Sequence, residues 1–242
     1  MIEKLKFSTA DNAKLKNIIS FSLSSGYSCP FAKKCLSKAN LETGKITDGK
    51  HTEFRCFSAS QESVYPAVRK QRAHNFNLLR KLKTVDEMVG LLQYSLPDIK
   101  KNGRGSIVRI HVAGDFHNQM IFDAWSQLAR NNPNRLFYAY TKSLPYWIAR
   151  IGQIPDNFRL TASYGGSHDH LIPIFNLKYA EVVFSEQEAL DKGLEIDHDD
   201  SHAFDSDESF ALIIHGTQPK GSTASKAKSE LAKVGWTGYH KK

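Results

Sequence analysis

Cys29, Cys35 and Cys56 place every thiol of this 242-residue chain in its first quarter. The first two lie in "SLSSGYSCPFAKKCLSKAN" (22–40) and the third in "FRCFSASQE", with five and then twenty residues between them. An odd count fits poorly with a disulfide framework. Three thiolates on a loop after a strand can ligate an iron–sulfur cluster, leaving one iron open to a small molecule. Zinc is a second reading, with His51 or His74 completing a tetrahedral site. Packing is the third, because free cysteine behaves as a small hydrophobe.

Other residues of chemical interest fall at the ends of apolar runs. In "RIHVAGDFHN", Gly114 allows close backbone approach and Asp115 can accept hydrogen bonds from an ammonium group, or simply cap the following helix. Arg109 and His111 alternate with Ile110 and Val112, which predicts one shared strand face. "YAYTKS" offers Tyr140 and Lys142, the lysine suited to a carboxylate or phosphate. "TASYGGSHDH" offers Ser163 and a His168–Asp169–His170 run that raises a metal reading, against that of an exposed loop. The acidic stretch "EIDHDDSHAFDSDES" has the wrong spacing for a calcium loop and reads as a solvated surface loop over 195–208. P-loop, nucleophile-elbow and dinucleotide fingerprints are absent.

These residues need elements to position them. β-rich apolar runs at 17–23, 106–114, 135–141, 158–164, 179–185 and 209–216 alternate with helical patterns. A helix is expected over 60–82, and another after Thr84, with Glu87 at capping-box distance. A third should start at Asn118, bury Ile121, Trp125 and Leu128, and end before Pro133. "SLPYWIARIG" and "EQEALDKG" read as short helices. Six strands joined by crossovers predict an α/β fold, a partial (β/α)6 barrel in a single domain spanning 1–242. An open doubly wound sheet is the alternative. In either, the cysteine-bearing loop (24–58) and the polar residues above gather at the carboxyl ends of the strands.

A net charge of +8 favours a polyanionic partner, either a nucleic acid or a nucleotide. Basic residues cluster at 68–83, at 100–109 and in the C-terminal segment 217–242. Apolar runs are too short to span a bilayer, and "MIEKLKFSTADNAKLKN" lacks the apolar core of a secretory signal, so no membrane partner and a cytoplasmic location are expected.

The string "SCPFAKKC…FRCFSASQESVYPAVRKQRAHNFNLL…VRIHVAGDF…FDAWSQLARNNPNRLFYAYTKSLPYW" resembles the gene product 88 family of phage and phage-like proteins. The resemblance covers about residues 20 to 165. That family in turn looks like a remote branch of the radical S-adenosylmethionine (SAM) enzymes. This second resemblance implies a partial barrel of radical SAM type, with a [4Fe–4S] cluster on Cys29, Cys35 and Cys56. It also implies SAM held near Gly114, Asp115, Tyr140 and Ser163, and an external electron donor. Catalysis would draw on Asp115, Arg109, His111 and Lys142, and a 5′-deoxyadenosyl radical would modify a nucleic acid or nucleotide in the host cytoplasm. The cysteine spacing is looser than the compact C-x3-C-x2-C loop of that superfamily. Two other classes stay open: a zinc-containing nucleic-acid-binding protein without catalysis, and a base-exchanging transglycosylase barrel with Asp115 as nucleophile.

Overall fold

The computed structural model describes residues 3–9 and 15–236. The opening residues 1–2 and 10–14, and the last six of the basic C-terminal segment, lie outside the described residues.

In chain order the elements are β1 (Ile19–Ser20), β2 (Ser37–Ala39), β3 (Ile46–Asp48), α1 (Phe57–Val64), α2 (Pro66–Leu79), α3 (Val85–Ser95), β4 (Ile107–Ile110), α4 (Gln119–Asn131) and β5 (Leu136–Thr141). There follow α5 (Leu144–Ile148), β6 (Phe158–Ser163), α6 (Leu171–Ile174), β7 (Tyr179–Val183), α7 (Glu186–Asp191), β8 (Glu195–Ile196), α8 (Ser201–Asp205), β9 (Phe210–Ile213) and α9 (Thr223–Lys233).

Seven strands form one sheet in the order β1-β4-β5-β6-β7-β9-β8, and every pairing in it is parallel. Parallel pairing follows from the helical crossovers, which return the chain to the same end of the sheet. The order runs outward from β1 as far as β9, and the two-residue β8 is added outside β9, so the only reversal lies at that edge and not at the centre, where a doubly wound sheet has it. Its two edges, β1 and β8, are not paired with each other, so the sheet is open.

One face carries Val108, Ile110, Phe137, Ala139, Phe158 and Leu160 against Phe122, Trp125 and Leu128 of α4 and Met88 and Leu92 of α3. The predicted apolar stripe of α4 is the one buried. Asn118 caps that helix by accepting from the Ile121 N–H at 2.9 Å. Thr84 and Glu87 form the expected capping box on α3. The opposite face carries Tyr138, Ala180 and Phe210, covered by Ala203 and Phe204 of α8. Arg109 pairs in register with Tyr138, so it stands on this second face.

The helix expected over 60–82 is two helices. Tyr65 precedes Pro66 and is held extended (φ −113°, ψ 95°), because the proline ring excludes the helical region from the residue before it. The acidic stretch is also not a solvated loop: it supplies β8 and α8, with Asp197 and Asp200 fully buried. Among the described residues no helix is long and apolar enough to cross a membrane.

Candidate functional site

The cysteine loop leaves β1 alongside β4, with Leu23 N–H donating to the Ala113 carbonyl at 2.9 Å. It then crosses to the end of β6, where the N–H groups of Lys33 and Lys34 donate to the Gly165 carbonyl. The twenty residues between Cys35 and Cys56 are occupied by an antiparallel hairpin, β2 paired with β3. Its base is zipped: Gly49 N–H reaches the Leu36 carbonyl, and Glu53 N–H reaches the Lys34 carbonyl, both at 2.7 Å. A long excursion in sequence is therefore a short one in space. Cys56 returns beside Cys35 and becomes the N-cap residue of α1.

Buried ion pairing anchors the loop from below. Glu62 of α1 is fully buried and accepts from Ser25 N–H, Ser25 Oγ and Arg72 Nη1. On the far side, Gln218 accepts from the Arg55 N–H and donates to the Arg55 carbonyl, clamping the residue before Cys56. Neither Glu62 nor Gln218 carries a motif that sequence reasoning could seize. Each is a lone polar residue among polar neighbours.

All three cysteines line one cavity of about 230 Å3, together with Gly114, Asp115, Lys142, Ser163, Arg109 and Tyr140. Its remaining wall is largely apolar, including Phe57, Val182, Leu212 and Ile214. Burial, then the nearby Asp115 carboxylate, pushes the Cys29 thiol well above its ordinary range. Burial likewise pushes Cys35 up to about 11. Both are therefore thiols at neutral pH in the ligand-free chain. Among the described residues no three His, Cys, Asp or Glu side chains form a group able to hold one metal ion. The histidines named for a zinc site stand apart from the cavity lining: His51 is exposed, and His74 bonds to the Lys4 carbonyl.

Asp115 is a structural hub at the strand ends. Its Oδ1 accepts from Thr141 Oγ1 at 2.6 Å and Phe116 N–H at 2.8 Å, and its Oδ2 accepts from Lys142 N–H at 2.8 Å. Burial raises its pKa, opposed by those three hydrogen bonds. Lys142 Nζ donates to the Ser163 carbonyl, Ser163 Oγ and the Tyr164 carbonyl, tying β5 to β6. Gly114 (φ 82°) has Ser28 Oγ and Leu23 packed where a side chain would begin. Asp169 is committed to the N–H groups of Gly165 and Gly166, and the His168 ring stacks edge-on to Phe31. The His168–Asp169–His170 run thereby docks the cysteine loop against the end of β6.

Arg109 and His111 do not share a face. His111 takes φ 55°, which ends the strand and turns its ring onto Phe116, Phe21 and Trp125. Burial holds its pKa well below the usual range, and neither ring nitrogen has a partner among the described residues. Arg109 instead faces Asp200, the residue missed within the acidic run. Asp200 Oδ2 accepts from Arg109 Nη1 at 2.5 Å and Tyr138 Oη at 2.9 Å, and Oδ1 accepts from Tyr140 Oη at 3.3 Å. Burial, the largest single influence, lowers the arginine pKa, but Asp200, Tyr138, Tyr140 and Asp197 together outweigh it, so the net shift is upward. The available signal was Ile196, Ala203 and Phe204, apolar residues that gave the acidic run one face to bury.

Residues 3–234 match the family model described as Gene product 88. The chain belongs to that family. Similar curated proteins are the Gene 88 protein of Mycobacterium phage L5, 28% identical over 149 residues, and that of Mycobacterium phage D29, 27% identical over 131 residues. The first alignment covers 60% of this chain and 56% of the relative, the second 53% and 48%. The chain thus spans about half the length of the curated relatives it matches. No solved structure matches it. The Gene 88 names carry no activity, so chemistry has to be argued from the site.

Proposed function

We propose that this Gene 88 family chain is a radical SAM-like iron–sulfur protein acting on a nucleic acid or nucleotide. The observation that carries the reading is the convergence of Cys29, Cys35 and Cys56 on one cavity, with Gly114 and Asp115 at its rim. Three thiols lining one cavity, with the two histidines considered for zinc outside that lining, support a cluster on three cysteines over a Cys3His zinc site. Six parallel strands in sequential order are the arrangement from which a partial (β/α)6 barrel is built, which supports the finer fold assignment.

Cys29, Cys35 and Cys56 would hold the cluster. A cluster held there would supply one electron for the reductive cleavage of bound SAM, the electron coming from an external donor. The chain's own part is positioning. Gly114 lets the cysteine loop lie against β4, and Asp115 fixes the ends of β4 and β5 while keeping one lone-pair direction for an ammonium group. The three hydrogen bonds on Asp115 argue against a nucleophile's role, because they hold its charge density in place.

The test is anaerobic iron and sulfide analysis. Wild-type chain is expected to carry about four irons with absorbance near ~400 nm. Cys29→Ala, Cys35→Ala and Cys56→Ala should each lose most of both. Colourless protein with stoichiometric zinc, or iron unchanged in all three variants, would overturn the reading.

A further inference from the structure

We propose that Arg109 anchors an oxyanion, a carboxylate or phosphate, on the small organic substrate of this cavity, deeper along the sheet than the thiols. The proposal rests on reading the cavity as the active site and adds the class of substrate it takes.

Four observations support it. First, Arg109 lies on β4, before the strand-end turn of Gly114 and Asp115, and lines the same cavity. Second, the guanidinium is held rigid: Nη1 is given to Asp200, and the Tyr140 ring lies 5.0 Å from its centre. Third, Nε is buried with no partner among the described residues. A guanidinium tied at Nη1 keeps its Nε–Nη2 edge, the planar fork that matches two oxygens of a carboxylate or phosphate. Fourth, Asp200 already accepts from Arg109, Tyr138 and Tyr140, so its charge is shared among at least three donors.

Charge and polarity agree. Of the cations lining the cavity, Arg55 is paired with Asp48 and Lys142 Nζ is given to Ser163 and Tyr164, whereas Arg109 keeps an N–H, at Nε, without a partner among the described residues. Phe57, Val182, Leu212 and Ile214 offer apolar surface for the rest of the molecule. They also keep water from screening the ion contact. A nucleotide phosphate and a carboxylic acid meet the same requirement.

The test is calorimetric titration of the full chain with phenyl phosphate, benzoate and the neutral isostere benzamide. At least one anion is expected to bind about tenfold tighter than benzamide, the discrimination of a charged hydrogen bond. Preference for phenyl phosphate assigns phosphate, and preference for benzoate assigns carboxylate. Arg109→Lys keeps a cation beside Asp200 but removes the fork, and should lose most of that preference. Leu212→Trp fills the cavity without touching the ion pair and should abolish binding, which keeps the test decisive if Arg109→Lys does not fold by circular dichroism. Equal affinity for anions and benzamide, or anion binding unchanged in a folded variant, overturns the proposal. The titration needs no iron, so lost anion preference in iron-bearing protein refutes this inference alone. Retained preference in iron-free wild type refutes the cluster alone.

Discussion

A β-carbon added at Gly114 would stand 2.4 Å from Ser28 Oγ and 2.8 Å from Leu23 Cβ, at φ 82°. Gly103 has nearly the same backbone (φ 81°) but open space around it. Gly103→Ala should therefore cost only the left-handed penalty, about 1–2 kcal/mol, while Gly114→Ala adds an overpacking term of about 1–3 kcal/mol. Urea denaturation of the pair isolates the contact between β4 and the cysteine loop; equal losses would show that the loop yields freely. Two histidines with buried ring nitrogens set a pH dependence nearby. Burial lowers His117 from 6.5 to about 4 and holds His111 well below its usual range. The unfolded chain then takes up protons first as pH falls, so stability should drop from about pH 6.5 towards pH 4, by at most about 1.4 kcal/mol per pH unit for each histidine. His117→Gln should flatten that slope, and an unchanged slope would assign the protons elsewhere. At this scale the thiols, Gly114 and Asp115 were legible because their types are rare and their neighbours distinctive. Asp200 was not, since one buried aspartate in an acidic run looks like its solvated neighbours.

Between elements, the hairpin and the Glu62–Arg72 pair decide where the thiols stand. Arg72 Nη1 meets Glu62 Oε1 at 3.1 Å with both side chains almost wholly buried, and Arg72 also donates to the Ser58 carbonyl and Gln61. Arg72→Met leaves a buried carboxylate without its cation, which should cost about 3–5 kcal/mol. Adding Glu62→Gln to Arg72→Met should recover part of that loss, and strictly additive losses in the double-mutant cycle would mean the pair is not coupled. The six strands could be read as apolar runs because the sheet is covered on both faces, and the capped helices α3 and α4 from periodicity because each has a wet side and a dry side. β2 and β3 could not. "SKA" and "ITD" are three residues each, polar at two positions of the three, and are specified by the zipped base rather than by any pattern. The break at Tyr65 was legible in principle from Pro66, and helical periodicity across it was the misleading signal.

Over the whole molecule, a formal charge of +8 overstates what the surface offers a polyanion. Arg69, Arg72, Arg135 and Lys142 are all buried, and Arg109 is 13% exposed at its side chain. Arg69 bridges the carbonyls of Leu41, Glu42 and Glu62, and Arg135 those of Pro97 and Gly105. The basic cluster at 68–83 therefore reaches solvent mainly as Lys70, Arg80, Lys81 and Lys83. If nucleic acid is the partner, these four residues, three of them just before α3, are the phosphate contacts that this cluster offers. Single-stranded DNA binding should then weaken with salt at a log–log slope of about −0.7 per phosphate contact. The Lys81→Glu/Lys83→Glu double variant should reduce that slope by about 1.4, while Arg69→Gln should act on stability and leave the slope alone. Fluorescence anisotropy across a salt series separates the cases. A flat wild-type response would remove extended nucleic acid as partner and leave the cavity to a free small molecule, whereas a slope carried by Arg69 would contradict its burial.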